Sequence, residues 1–211
     1  MARPRQFDEE AVLDAASDLF WAKGFEATST RNLTESTGLT PSSIYAAFGD
    51  KRGLFRCALD HYLTRLRRKM TTLESTMPPG QAITSFFEDT IERSISDALQ
   101  RGCMLVNSAL EASPSDPEFR VSIAKELEHI ESFFRSRFAA GQERGEIPMG
   151  VSATSAAQQL LAVLLGIRVL ARARPERAVM TGAAEQTLQL LGLPSLGSES
   201  GTSTTSRRQK P

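Results

Sequence analysis

The 211-residue chain is poor in the residues that most often mark chemistry, with two cysteines, two histidines, two tyrosines and one tryptophan. Two thiols, Cys57 and Cys103, cannot build a disulfide framework, so the expectation is a reducing, cytoplasmic setting. The histidines, His61 and His129, stand far apart and without an obvious Ser or Asp partner. No GxxxxGK[ST] phosphate loop, HExxH pair or GxSxG elbow is present, so no catalytic residue, cofactor or metal is expected. Cys57 and His61, spaced i, i+4, make a weak metal site at best.

Long apolar runs are also missing. The longest, around Leu160 to Leu170, is interrupted by Gly166 and Arg168 and reads as too short and too polar for a membrane span. The charged start MARPRQFDEE has no apolar segment behind it, so no secretory signal is expected. No stretch alternates with period two, which excludes half-buried strands. Charge of one sign is lacking too, with 25 Lys and Arg against 25 Asp and Glu. Residues 1–57 carry seven cations and eight anions, so any affinity for a polyanion must come from where charges sit, not from their sum.

What the chain does have is helical periodicity. Val12, Ala15, Ala16, Leu19 and Phe20 form one apolar face of a helix from about Asp8 to Lys23, stopped by Gly24. A long helix begins near Lys51 and ends at the loop Met77–Gly80. Ile83, Phe86, Phe87, Thr90, Ile91 and Ile95 mark the next. Phe119, Ile123, Leu127, Ile130, Phe134 and Phe138 mark another, closed near Gly141–Gly145. Ser152 to Ala173 comes after it, and Pro175 fits the first turn of a last helix ending about Leu191. The expected fold is all-α, with an N-terminal three-helix unit (1–55) and a C-terminal helical domain (56–193). Residues 194–211, nearly devoid of apolar side chains, read as a disordered tail.

The informative segment is TSTRNLTESTGLTPSSIYAAFGDKRGLFRCAL, Thr28 to Leu59. A short helix at about Thr30–Thr37 is succeeded by a turn at Gly38 and a second short helix from Pro41 to Ala47, N-capped by Thr40. Leu33, Leu39, Ile44 and Phe48 supply the contacts that hold the pair crossed, the signature of a helix-turn-helix. The spacing of Phe20, Gly24, Phe25, Thr28, Gly38, Leu39, Ile44, Tyr45, Phe48, Lys51 and Leu54 resembles the TetR/AcrR family of one-component regulators. One departure is Thr34, where the family usually has alanine; its bulk is expected to alter the helix pair slightly.

The resemblance implies a homodimer that sets one recognition helix per subunit into a half-site of a near-palindromic double-stranded operator, most often as a repressor released by an effector. Phosphate contacts are expected from Lys51, Tyr45 and the hydroxyls of Thr28, Thr40, Ser42 and Ser43. Base reading falls to Pro41, Ser42, Ala46 and Arg31, and the arm carrying Arg3 and Arg5 suits a minor groove. No bidentate Arg, Asn or Gln stands at the tip of the recognition helix, so methyl contacts and DNA shape are expected to carry more of the specificity.

In the C-terminal half, apolar residues wrap around most of the helix at 160–170, so it must be covered on more than one side. The four-helix dimer interface that the family uses would take Leu161, Leu164, Leu165 and Arg168, with Leu188 and Leu191 on the last helix; a fully buried central helix in a monomer is the other reading. The family implies an effector pocket between this pair and the DNA-binding helices, with Phe86, Phe87, Cys103, Met104, Phe133 and Phe134 as candidate lining, although such stripes are more often core. Cys103 comes after Arg101 and Gly102 near a helix start, an environment that favours a reactive thiolate. Its surroundings resemble a subset of the family in which a cysteine here senses electrophiles or oxidants; a buried small hydrophobe is the other reading. Two further classes fit the residues: a helical small-molecule-binding protein, and an interaction adaptor with a vestigial helix-turn-helix.

Overall fold

The structure, a computed structural model, describes residues 7–111 and 116–197. Among these residues there are nine α-helices and no strand, as the periodicity predicts. Helix α1 (Glu9–Lys23) is capped by the Asp8 carboxylate, which accepts the N–H groups of Glu10 and Ala11, and it buries Val12, Ala16 and Phe20. Gly24 ends it at a positive φ of 83°. A side chain at Gly24 would also collide with the Glu111 carboxylate, whose Oε2 accepts the Phe25 N–H at 2.7 Å. Only glycine satisfies both conditions.

Helices α2 (Thr30–Thr37) and α3 (Pro41–Phe48) are joined through Gly38, left-handed at φ 71°. Leu33 and Ile44 are fully buried between them and their neighbours, with Leu39 and Phe48 packed at the rim. Helix α4 (Lys51–Thr76) closes this unit with Leu54, Phe55 and Ala58. Its second half carries Leu63, Met70 and Leu73 into the C-terminal core. The expected division between residues 55 and 56 therefore falls inside one continuous helix of 26 residues.

The remaining helices are α5 (Pro79–Ser96), α6 (Met104–Glu111), α7 (Pro117–Glu143), α8 (Ala153–Ala173) and α9 (Arg177–Leu190). Their core centres on Phe86, Phe87, Phe133 and Phe134, rings packed 5.4–5.7 Å apart, with Phe138 also fully buried.

Several expectations need correction. Helix α5 starts at Pro79, so the turn after α4 is shorter than Met77–Gly80; both Pro79 and Gly80 are buried. Pro175 precedes the N-cap Glu176 of α9 instead of opening the helix. Residues 194–197, expected to begin a tail that does not pack, are docked. The Thr84 hydroxyl donates to the Pro194 carbonyl at 2.8 Å, and the Leu196 N–H donates to Glu185 at 2.9 Å. A few hydrogen bonds and the buried Leu193 hold what composition alone leaves loose. Finally, α8 has 21 residues, longer than the apolar run around Leu160–Leu170, and by length and composition alone is apolar enough to cross a membrane, with a mean hydropathy of 1.4. In the fold it packs against α7, α9 and α5 and buries Ala156, Ala157, Leu160, Leu164, Ile167 and Ala171.

Candidate nucleic-acid interface and ligand cavity

The N-terminus of α3 is a hydroxyl cluster. Thr40 Oγ1 accepts the Ser43 N–H at 3.2 Å and lies 2.9 Å from both Ser42 Oγ and Ser43 Oγ. Pro41 sits at the first turn, where its missing N–H leaves nothing unpaired. Thr40, Pro41, Ser42, Tyr45 and Ala46 are exposed along one side of α3, while Ile44 faces inward. The sequence expectation thus brings these residues to a single face. Tyr45 is 45% exposed, a large ring left in solvent, and its hydroxyl lies 3.4 Å from Thr30 Oγ1. Thr30 is outside the expected set; its signal is its position at the first turn of α2, beside α3.

Lys51 does open α4, behind an Asp50 cap. Its ammonium rests 4.4 Å from the centre of the Phe25 ring and 3.5 Å from the Glu26 carbonyl, so the cation is placed by packing. Arg31 is exposed and paired with Glu35 at 2.8 Å, one turn along α2. Arg3 and Arg5 lie outside the described residues.

Thr28 requires correction. It is 1% exposed, and its hydroxyl donates to the Gly24 carbonyl at 2.6 Å, so it cannot meet a phosphate without unfolding the turn after α1. The N-cap of α2 is the next residue, Ser29, in a reciprocal capping box with Asn32. Thr34 is accommodated simply: its hydroxyl donates back to the Thr30 carbonyl at 3.0 Å, so no polar group is stranded between the helices.

Behind the DNA-facing unit lies a cavity of about 130 Å³. Its wall includes Trp21 of α1, Tyr62, Arg65, Leu66 and Lys69 of α4, Phe86, Asp89, Thr90 and Arg93 of α5, Gly102, and Arg168 of α8. Of the six residues expected to line a pocket, only Phe86 does so here. Phe87, Met104 and Phe134 are sealed in the core, where they fill volume between helices. Phe133 is buried as well and borders a separate surface hollow. Cys103 is also buried, immediately before α6, and the Tyr62 hydroxyl donates to its Sγ at 3.7 Å. Burial and then the neighbouring Cys103 thiol push the Tyr62 phenol well above its ordinary range. Arg101, expected to face this thiol, is instead turned to Asp97 and Asp18 and stacks 3.9 Å above Trp21.

The missed lining has one recognisable pattern: Tyr62, Arg65 and Lys69 share a face of α4 at i, i+3 and i+7. Burial lowers the pKa of Lys69 against the opposing pull of Asp89. Burial acts to raise Asp89, but Lys69 and Arg93 together hold its carboxyl below the usual range.

The expected dimer residues divide sharply. Leu164, Leu188 and Leu191 are buried within their own subunit, and Arg168 turns inward to the cavity, so none of these four presents a free outer surface. Leu161 and Leu165 remain half-exposed on α8. Apolar wrapping led to the expectation of cover on more than one side, but could not say which residues meet α5, α7 and α9 of the same subunit. The residues left outward are Val169 at 48% and Leu190 at 67% exposure, with Gly166 and Gly182 beside open space.

Crossed helices with an exposed face on α3, joined by one continuous helix to a larger helical domain, define a helix-turn-helix DNA-binding regulator. Comparison with known proteins agrees. The family model for bacterial regulatory proteins of the tetR family matches residues 12–58, and that for the tetracyclin repressor-like C-terminal domain matches residues 79–187. The HTH-type transcriptional repressor ComR of Escherichia coli is 31% identical over 192 residues, 89% of this chain and 90% of that protein. BdcR, another HTH-type transcriptional repressor of E. coli, is 32% identical over 56% of this chain and 61% of its own length. A cysteine mutant of the TetR family transcriptional regulator CifR, solved with 26-bp double-strand operator DNA, superposes with a TM-score of 0.79 at 34% identity, covering 89% of this chain and 98% of that one. The chain belongs to the TetR family of transcriptional regulators.

The reassignment of Thr28 is testable. Thr28→Val should cost about 1 kcal/mol of stability through the lost hydrogen bond, read by urea denaturation. Operator affinity and its salt dependence, measured by fluorescence anisotropy on the folded protein, should stay at wild-type values.

Proposed function

We propose that the protein represses transcription in the cytoplasm by binding a two-fold symmetric operator as a homodimer, and that a small molecule in the cavity releases it. The observation that carries this reading is the continuity of α4, which places Lys51 at the DNA-facing end and Tyr62, Arg65 and Lys69 at the cavity. A ligand that favours one placement of α4 thereby biases the separation of the two recognition helices, a two-state coupling. Thr40, Pro41, Ser42, Ser43, Tyr45 and Ala46 face the major groove in this reading. Lys51 supplies a phosphate contact, and Arg31 exchanges Glu35 for the DNA backbone.

The dimer surface is assigned to the outward sides of α8 and α9. Leu161, Leu165 and Val169 recur every four residues, and Gly166 and Gly182 lie in helix interiors with nothing near a would-be Cβ. An interior helical glycine costs about 1 kcal/mol relative to alanine. Nothing inside the subunit requires it at either site, whereas close approach of a partner helix does. Selection from random duplexes should enrich a palindromic site. Val169→Glu should give monomers by sedimentation and lose that site; failure to enrich any sequence would instead favour an adaptor or carrier role.

Lys51→Ala should weaken binding to all sequences alike and lower the slope of log affinity against log salt by about 1. An unchanged slope removes Lys51 from the phosphate contacts.

A second route of release is favoured by one observation: Cys103 is bonded to Tyr62 and adjoins Gly102, both wall residues of the cavity. An electrophile admitted there meets a buried thiol beside the cavity wall, and the adduct must be accommodated within the packed domain. Cys103→Ser should therefore keep operator binding yet lose its sensitivity to N-ethylmaleimide in a gel-shift assay. Retained sensitivity in that variant excludes Cys103 as the sensor.

A further inference from the structure

Four cations meet at the cavity: Arg65, Lys69, Arg93 and Arg168. Two carboxylates answer them. Asp14 is paired with Arg65, and Asp89 is shared between Lys69 and Arg93. Arg168 is the cation left over. Among the described residues its guanidinium has no carboxylate partner, and its contact is a long one, 3.5 Å to the Thr90 hydroxyl. In the same wall the Trp21 indole N–H is buried and has no acceptor among the described residues. Unpaired donors of this kind are unfavourable unless something supplies an acceptor.

A different hollow, between α4 and α7, serves as a contrast. There Arg56 and Arg67 face Asp60, Glu118 and Glu126, and Arg67 is bonded to both Asp60 and Glu126, so cations are in no excess.

We propose that the 130 Å³ cavity binds a small, flat organic carboxylate, its anion on Arg168 and its ring among Trp21, Tyr62 and Phe86. Size supports a single ring, since an apolar cavity of about 150 Å³ accommodates benzene. The excess of positive charge selects the anion over a neutral ring of equal shape, because the neutral one leaves the guanidinium unpaired. The three aromatic side chains give the ring its apolar walls.

The ligand class also specifies a route to the DNA-binding unit, and here the inference rests on the effector-release reading above. Trp21 belongs to α1, and Asp14 of the same helix holds Arg65. A ring seated against Trp21 acts on α1 directly, and through the Asp14–Arg65 pair on the hold of α1 on α4. Arg101 adds to the linkage by bridging Asp18 of α1 and stacking on Trp21.

Trp21 is the only tryptophan of the chain, so its emission reports on this cavity directly. Titration of the full-length protein with benzoate should change that emission saturably, with benzamide at least about tenfold weaker, as expected for loss of a charge-assisted hydrogen bond. Arg168→Met should weaken benzoate by about tenfold for the same reason. Equal responses to benzoate and benzamide overturn the proposal, as does no saturable response to benzoate up to tens of millimolar. The wild-type comparison stands even if Arg168→Met does not fold. No DNA is present in the titration, so the two readings fail separately. Benzoate binding that leaves operator affinity unchanged keeps the ligand class and overturns release, whereas absent benzoate binding with intact operator affinity overturns the ligand class alone.

Discussion

Everything else in the molecule depends on α4 serving two cores at once. Leu54, Phe55 and Ala58 close the small N-terminal unit, while Leu63, Met70 and Leu73 belong to the larger domain. Three short helices bury too little apolar surface to be stable alone, so the unit leans on the C-terminal helices. Polar contacts reinforce the attachment. Ser17 donates to the Ala58 carbonyl at 2.8 Å, Asp14 meets His61 at 2.7 Å, Glu111 holds the Phe25 amide, and Arg52 pairs with Asp116. With a continuous helix running through the junction, movement at one end is not absorbed by a linker. It is transmitted.

Helix α3, the second helix of the helix-turn-helix, carries no charged residue. Arg52 and Arg56 are turned toward Asp116 and Glu118, and Arg31 toward Glu35, so several cations of the N-terminal unit serve intramolecular pairs. What stands outward on α3 is a set of hydroxyls, a proline, an alanine methyl and the Tyr45 ring. Such a surface reads shape and methyl groups more readily than it forms paired hydrogen bonds to a purine edge.

The cavity lies where α1, α4, α5 and α8 converge, next to that junction. Its charges are arranged as a partly balanced network: the Lys69–Asp89–Arg93 group sits beside Arg168, which has no acid of its own among the described residues. Most of the phenylalanines nearby are committed to packing and leave no room; the open volume is bordered by Arg65, Lys69, Asp89, Arg93 and Arg168 together with Trp21, Tyr62, Leu66 and Phe86. That difference separates core from pocket in this domain, and hydrophobicity alone does not reveal it.

Local signals were enough to place eight of the nine described helices to within a residue or two, because caps, glycines and 3.6-residue periodicity act over a few neighbours; α6 was legible only as a helix start near Cys103. The same signals were enough for the turn at Gly38, the buried roles of Leu33 and Ile44, and the outward set on α3, since a two-helix motif joined by a short turn has few ways to pack. Thr28 escaped that reading: whether a hydroxyl faces DNA or bonds to Gly24 depends on how the chain folds back after α1. Which of the apolar and charged residues of the second domain face inward was set only in the folded chain. Leu188 and Leu191 became core, Arg168 a cavity wall, and residues 194–197 a docked segment. The physical reason is that a helix apolar on most sides carries no record of which side meets which neighbour; only the packing of distant segments assigns it.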